Sequence, residues 1–493
     1  MEGIAYWIAK WALIQPDRTA IITDEEKVSY EQLNIMIDTA AWKMKKVLGE
    51  RKGERIAILS QNRLEYIVLL FAIAKIECVA VPLNIRLSAK ELVYQLNDSS
   101  ASLLVYEAGN EQFIHSFVEQ TALEHRLAME TVCAKTESVP ICTSEIDEEA
   151  PYIICYTSGT TGKPKGAVLT QRNMFWNAIN NKLAINLTAE DRSIVLLPLF
   201  HIGGIGLFAL PTLFAGGTIV IPGKFDPEKA LQMIEEHNVT IVMGVPTIHQ
   251  ALLMSPSFDT TVLSTVRWFY NGGAPCPREL IDAYFAKGFL FGQGFGMSET
   301  SPTLFMLSKE DAPRKRGSIG KPVLFVAYQL VDENGNAVGP GEVGELAVKG
   351  PNIMKEYWKN PEATNETLKN GWLFTGDLAR TDEEGYLFIV GRKKEMIISG
   401  GENIYPLEVE QVIRQIPGVL EVAVVGNTDP RWGEVPEAFI VLGNESVLTE
   451  AAVLAHCKSS LAKYKIPKHV TFLNEMPKNA TGKILKTQLI KRG

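Results

Sequence analysis

The chain has 493 residues, 46% hydrophobic and 22% charged, which provides for large apolar cores and excludes a disordered or low-complexity chain. Its length predicts two or three domains. A net charge of −8 gives no overall attraction to nucleic acid, and no stretch approaches the roughly 20 apolar residues of a membrane helix.

In chain order, short β-branched runs alternate with helical patterns. Arg55–Ser60, Ile194–Leu197, Gly217–Ile221, Val239–Val245 and Val266–Tyr270 predict buried strands. Tyr30–Leu48, Glu65–Ile76, Pro227–His237 and Arg278–Lys287 predict helices. This alternation implies an α/β fold, with parallel sheets and helices packed on them. After Lys321 turns come quickly, at Asp332–Gly335, Gly339–Glu342 and Asp382–Gly385, and predict hairpins in a small antiparallel, barrel-like piece. From about Gly391 a smaller α+β unit is expected. Its predicted helices are Glu408–Ile416 and Thr449–Leu461, and its predicted strands Val422–Gly426 and Glu437–Val441. The expected division is 1–391 and 392–493.

Cys78, Cys133, Cys142, Cys155, Cys276 and Cys457 are scattered and form no CxxC, so neither a zinc site nor a disulfide framework is expected. Met1 to Lys10 lacks the pattern of a signal peptide, and a cytoplasmic location is the expectation. From Lys458 to Gly493 nine Lys and Arg face one acid, Glu475. Such a run is ordinarily a solvated face, but it can also bring positive charge to phosphates.

The most informative segment is Tyr156-Thr157-Ser158-Gly159-Thr160-Thr161-Gly162-Lys163-Pro164-Lys165-Gly166, directly after the apolar run Tyr152–Cys155. Glycines let backbone N–H groups approach a ligand, hydroxyls and successive N–H groups make an anion nest, and lysines add charge. Polyphosphate binding is the chemistry this suits. A Walker loop is excluded, because only Thr160 and Thr161 separate Gly159 from Gly162, and Pro164 follows Lys163.

This loop closely resembles the phosphate-binding signature of the adenylate-forming superfamily: acyl-CoA synthetases, peptide-synthetase adenylation domains and firefly luciferase. The resemblance runs in order from Tyr156 to Lys483. Leu197–Gly204 contains His201, whose family counterpart orients the substrate carboxylate. Asn271–Pro275 matches the adenine-binding turn, with Gly273 and Ala274. Gln293-Gly294-Phe295-Gly296-Met297-Ser298-Glu299 resembles a box that stacks on adenine through Phe295, touches the α-phosphate through Ser298 and holds Mg²⁺ through Glu299. Phe295 and Ser298 stand where the family has Tyr and Thr. Thr160 is the second metal ligand the resemblance implies. Asp377 resembles the ribose clamp, and Arg392 its partner on ribose or phosphate. Lys394 matches the pivot between the two domains. Gly400 and Gly401 match a loop bordering the pantetheine tunnel. Lys483 matches the lysine needed for adenylation.

The resemblance thus implies a large N-terminal domain and a mobile α+β C-terminal domain. The implied ligands are a carboxylic acid, ATP with Mg²⁺, and coenzyme A as co-substrate. The implied reaction is acid + ATP + CoA to acyl-CoA, AMP and diphosphate through an acyl-adenylate. His201 stands where amino-acid-activating relatives place an Asp, and no acid follows until Asp226, so a substrate ammonium would be buried unpaired. A medium- or long-chain fatty acid is the expectation, bordered by Trp176 and Phe208 if these are not core. The alternatives are o-succinylbenzoate, which needs a cation not found in the pocket segments, or an aryl acid. A module loading a carrier protein, a luciferase-like oxidase and a non-catalytic binding protein are readings of other classes. A homodimer is left open.

Overall fold

The structure, a computed structural model, describes residues 3–134, 146–157, 163–443, 446–478 and 484–490. The chain forms two compact units, Met1–Ala327 with Val348–Leu373, and Tyr328–Ala347 with Phe374–Gly493. Among the described residues no helix is long and apolar enough to cross a membrane.

The first unit contains two mixed sheets. In one, Phe291–Gly296, Trp268–Asn271, Ile241–Gly244, Arg192–Val195, Thr218–Ile221 and Thr19–Thr23 lie side by side, all parallel. In the other, parallel strands Val79–Pro82, Arg55–Leu59, Ala101–Tyr106 and His125–Ala128 continue through Pro151–Thr157 into the antiparallel pair Lys165–Thr170 and Glu356–Tyr357. Arg55–Leu59, Val79–Pro82 and Ala101–Tyr106 are buried on both faces, which gives them nearly continuous apolar runs. Tyr30–Leu48 starts where Ser29 and Gln32 close a capping box and stops at Gly49, whose φ is +73°. The α/β reading and these helices agree with expectation. The strand expected over Ile194–Leu197 covers Arg192–Val195, because the backbone beyond it turns away to bond elsewhere: the Asn62 amide takes Leu197 O at 2.8 Å.

In the second unit, Trp372–Thr381 pairs antiparallel with Leu387–Arg392 through the turn at Asp382–Gly385, and a tight turn also forms at Asp332–Gly335. Beyond it, Val419–Asp429 and Gly433–Leu442 form a long hairpin, with Ile397–Ser399 and His469–Leu473 against Gly433–Leu442. Alternation sorts its two faces. Val422, Val424, Ala438 and Ile440 pack under helices Pro406–Arg414 and Glu450–Ser460, while Ala423, Val425, Phe439 and Val441 meet Met476 and Leu489. Gly400-Gly401 is the two-residue turn between Ile397–Ser399 and Glu402–Ile404. Its φ values of +60° and +87° suit a primed hairpin turn, and the helix begins only at Pro406.

Candidate active site

Register across the first sheet brings the carboxyl ends of its parallel strands into line. Met243 lies beside Val195, Gly244 beside Asn271, and Asn271 beside Gln293. The segments holding His201, Gly273, Ala274 and Gly294–Glu299 all leave the sheet at this edge, where open α/β sheets bind ligands. Gly296 is required there by space: a Cβ would lie 1.7 Å from the Pro302 carbonyl oxygen.

His201 follows the turn after Pro198 and accepts a hydrogen bond at Nδ1 from the Gly203 N–H, 3.2 Å. Its imidazole is solvent-accessible, yet the protein mass around it disfavours the charged form and lowers its pKa from 6.5. His201 is therefore neutral near pH 7, with Nδ1 as acceptor and the proton on Nε2 as a donor.

The Asn271 amide donates to Ala274 O at 2.9 Å, which fixes the turn through Gly273. The Gln293 amide donates to Ser318 O at 2.8 Å. The half-buried Phe295 ring lies 6.3 Å from that of Phe305.

The glycine-rich segment connects two paired strands, with Thr157 opposite Lys165. Thr157 donates to Lys165 O, 3.4 Å, and Tyr94 to Pro164 O, 3.2 Å. Ser158, Gly159, Thr160, Thr161 and Gly162 lie outside the described residues, and with them the expected Thr160 metal ligand. Lys163 is exposed. Ser298 and Glu299 sit against the same strand pair. The Cys155 thiol, pushed up to about 11 by burial, donates weakly to Ser298 Oγ at 3.9 Å. Glu299 is 5% exposed, and its carboxylate accepts one hydrogen bond, from the Tyr357 hydroxyl at 2.7 Å. Among the described residues it makes no ion pair. Tyr357 was not singled out from the sequence: it lies in a two-residue strand, Glu356–Tyr357, too short to carry a periodic signal.

In the second unit, Asp377 and Arg392 are register partners, with carboxylate Oδ1 and guanidinium Nε 2.7 Å apart. The Asp377 N–H donates to Thr375 Oγ1, 3.1 Å, and Thr375 in turn donates to Leu346 O, 2.8 Å. Lys394 is exposed in the single turn Lys393–Glu395, and its neighbour Lys393 pairs with Glu345 at 2.7 Å. Gly400 donates its N–H to Trp432 O, 2.8 Å. Lys483 lies outside the described residues; the flanking Lys478 and Ile484 are bridged.

Fold and site define an α/β enzyme of the adenylate-forming class, in which a buried carboxylate that follows a strand of one sheet packs against the strand pair of the other that flanks the glycine-rich segment. The AMP-binding enzyme family matches residues 8–358, and the AMP-binding enzyme C-terminal domain residues 408–483. Feruloyl-CoA synthase of Amycolatopsis sp. is 39% identical over 491 residues, covering 100% of this chain and 99% of that protein. Indoleacetate–CoA ligase of Aromatoleum aromaticum is 37% identical, covering 98% of this chain and 96% of that one. Among solved structures, the o-succinylbenzoate CoA synthetase of Bacillus subtilis in complex with its acyl-adenylate superposes with a TM-score of 0.90 at 34% identity, covering 98% and 97% of the two chains. The chain belongs to the AMP-binding enzyme family, within the adenylate-forming acid–CoA ligase superfamily, and is an acid–thiol ligase.

Proposed function

We propose that this protein joins an aromatic carboxylic acid to coenzyme A at the expense of ATP, through an acyl-adenylate. The observation that carries the nucleotide reading is Glu299. A carboxylate 5% exposed, with no cation partner among the described residues, is costly unless a ligand supplies the charge. No group of three or more His, Cys, Asp or Glu forms a metal cage among those residues. That suits Mg²⁺, which is commonly held by one or two carboxylates together with substrate phosphates. Glu299 would hold it, with Thr160 as the expected second ligand, and it would neutralise charge on the phosphates.

The acid's carboxylate oxygen attacks the α-phosphorus in line, and diphosphate leaves. His201, neutral, offers its Nε2–H to that carboxylate. Thr157, Ser158, Gly159, Thr161, Gly162, Lys163 and Lys165 line the polyphosphate. Gly273, Ala274, Gln293, Gly294, Phe295 and Gly296 take the adenine, and Ser298 takes the α-phosphate. Asp377 accepts from the ribose hydroxyls with Arg392 beside it. Lys483 brings positive charge to the two reacting anions. The reading assigns these roles to domains 1–391 and 392–493, pivoting at Lys394, with Gly400 and Gly401 bordering the thiol's path.

Two points support an aromatic acid over the fatty acid expected from the sequence. Phe208, 3% exposed, packs on Tyr270 as core rather than bordering a channel. The two relatives compared above are also named for ferulate and indoleacetate. A second reading, 2-succinylbenzoate, is favoured by relatives of that name, such as the Bacillus cereus ligase, 37% identical. It demands a cation for the second carboxylate, yet Phe200–Leu207, Met243–Thr247, Asn271–Ala274 and Gly294–Pro302 contain no Lys or Arg.

The test is CoA-thioester formation, followed by mass, with ATP, Mg²⁺ and a panel of ferulate, cinnamate, indoleacetate, 2-succinylbenzoate and decanoate. Highest turnover on an aromatic monocarboxylate is expected. Highest turnover on decanoate would return the substrate to the fatty acids, and absence of AMP formation with every acid would overturn the reading.

A further inference from the structure

Tyr357 joins two groups of opposite charge without letting them meet. Its hydroxyl donates to Glu299 Oε1 at 2.7 Å, while Lys165 Nζ lies 5.4 Å from the centre of its ring. The phenol is buried and its backbone is held from both sides. Met354 N–H donates to the Glu299 carbonyl at 2.8 Å, Lys355 N–H to Val168 O at 2.9 Å, and Trp358 N–H to Gly166 O at 2.7 Å. Tyr357 itself lies opposite Ala167 in the strand leaving the glycine-rich segment. The hydroxyl is therefore set by the same strand that sets Lys165.

We infer that Tyr357 is a positioning residue for Glu299: it orients the carboxylate so that its remaining lone pairs face a divalent cation, and it keeps Lys165 from pairing with that carboxylate. This rests on the reading that Glu299 carries the cation of a metal–nucleotide complex. A carboxylate offers about four acceptor positions, and a fixed neutral donor on one oxygen selects which of the others stay open. Groups that orient a metal ligand in this way typically contribute about 10–100-fold in metal affinity. A direct Lys165–Glu299 ion pair would satisfy both charges internally and leave neither for phosphate or metal. The aromatic ring holds the ammonium by its face instead.

Tyr357→Phe removes the hydroxyl and keeps the ring that packs under Lys165. The full-length protein is titrated with Mn²⁺ in the presence of a non-hydrolysable ATP analogue, and free Mn²⁺ is read by electron paramagnetic resonance. The expected result is Mn²⁺ binding weakened about tenfold or more. Acyl-AMP formation should be lost at low Mg²⁺ and recovered as Mg²⁺ is raised, with the KM for the acid unchanged. A purely structural role would not give recovery by metal. Mn²⁺ binding equal to wild type, or a loss that Mg²⁺ does not relieve, overturns the inference. A cycle with Glu299→Gln gives a second measurement that does not depend on absolute stability. In that background Tyr357→Phe should cause no further change in Mn²⁺ binding, and an undiminished effect overturns the inference. Failure of the underlying reading shows separately, in the wild-type arm, as no nucleotide-dependent Mn²⁺ binding; that result overturns both.

Discussion

Asp377 and Arg392 face one another across an antiparallel ladder, with Oδ1 and Nε 2.7 Å apart, but their surroundings differ: Asp377 is 3% exposed and the Arg392 side chain 43%. The arginine is the solvent-facing partner of a buried carboxylate. Arg392→Ala would leave that carboxylate buried and under-compensated, at a cost of about 1–3 kcal/mol, visible as a lower thermal midpoint. Asp377→Ala should instead raise the KM for ATP about tenfold or more, the order of a lost charge-assisted hydrogen bond, and leave the KM for the acid nearly unchanged. Steady-state kinetics with each substrate varied in turn checks the split.

His249 gives a pH prediction. It is fully buried, its Nε2 lies 2.9 Å from Tyr270 O, and burial lowers its pKa from 6.5 to about 4. Between those values the unfolded chain binds a proton that the folded chain refuses. Its contribution is therefore fully present above about pH 6.5 and is lost as pH falls toward about 4. The full loss is on the order of 3 kcal/mol. Urea midpoints measured from pH 7 to pH 4 should fall with a slope that His249→Asn flattens. An equal slope in both proteins would remove His249 as the titrating group. His201, also shifted down, has the same sign for activity: adenylation should decline as acid protonates Nδ1 and displaces the Gly203 N–H.

A buried asparagine pair ties the segment after His201 to the segment after Glu299. Asn177 Nδ2 donates to Gly206 O at 2.6 Å, and its Oδ1 accepts from Thr303 N–H at 3.1 Å. Asn181 Nδ2 donates to Thr303 Oγ1 at 2.9 Å. Asn177→Leu should cost about 1–3 kcal/mol, because it strands the Thr303 N–H in the interior and leaves the Gly206 carbonyl only the longer 3.4 Å bond from Asn181. It should also raise the KM for the acid more than that for ATP, since the segment it anchors carries His201. Thermal midpoint and the two KM values are the measurements.

The network also shows what the sequence could and could not convey. Helix Tyr30–Leu48 was legible to the residue because capping and stop signals are local, and the parallel strands Arg55–Leu59, Arg192–Val195, Thr218–Ile221, Ile241–Gly244 and Trp268–Asn271 were legible because burial on both faces leaves unbroken apolar runs. Asn177 and Asn181, by contrast, carry no local signal, and only the approach of Gly206 and Thr303 from distant segments makes them interior. Tyr357 was illegible for the same reason, its partners lying 58 residues away at Glu299 and across a strand at Lys165. That Gly400-Gly401 forms a hairpin turn is decided by pairing of the flanking strands, which the glycine pair alone does not signal.

Gly296 tests the sheet edge itself. The Pro302 oxygen occupies the space a Cβ would need, and it is backbone, so neither side can yield cheaply. Gly296→Ala should displace the segment bearing Ser298 and Glu299 and lower acyl-AMP formation by about a hundredfold, the order expected for an ångström-scale misplacement. Activity within a fewfold of wild type would show that the segment relaxes without consequence.

The last prediction separates the two half-reactions. If Lys483 supplies the charge that lets two anions react, Lys483→Ala should abolish acyl-AMP formation from acid and ATP, since one such electrostatic contact is worth about 10²–10³ in rate. It should spare thioester formation from supplied acyl-AMP and CoA, where no phosphate–carboxylate repulsion remains to be screened. Lys394→Pro should do the converse. Proline fixes φ near −65° and removes an N–H, so a pivot at that residue would be frozen, leaving adenylation and stopping transfer to CoA. Single-turnover measurement of each half-reaction on both variants decides the matter. Equal loss of both half-reactions in Lys483→Ala would mean that the lysine supports the C-terminal unit rather than the adenylation step. Unchanged overall turnover in Lys394→Pro would place the pivot elsewhere.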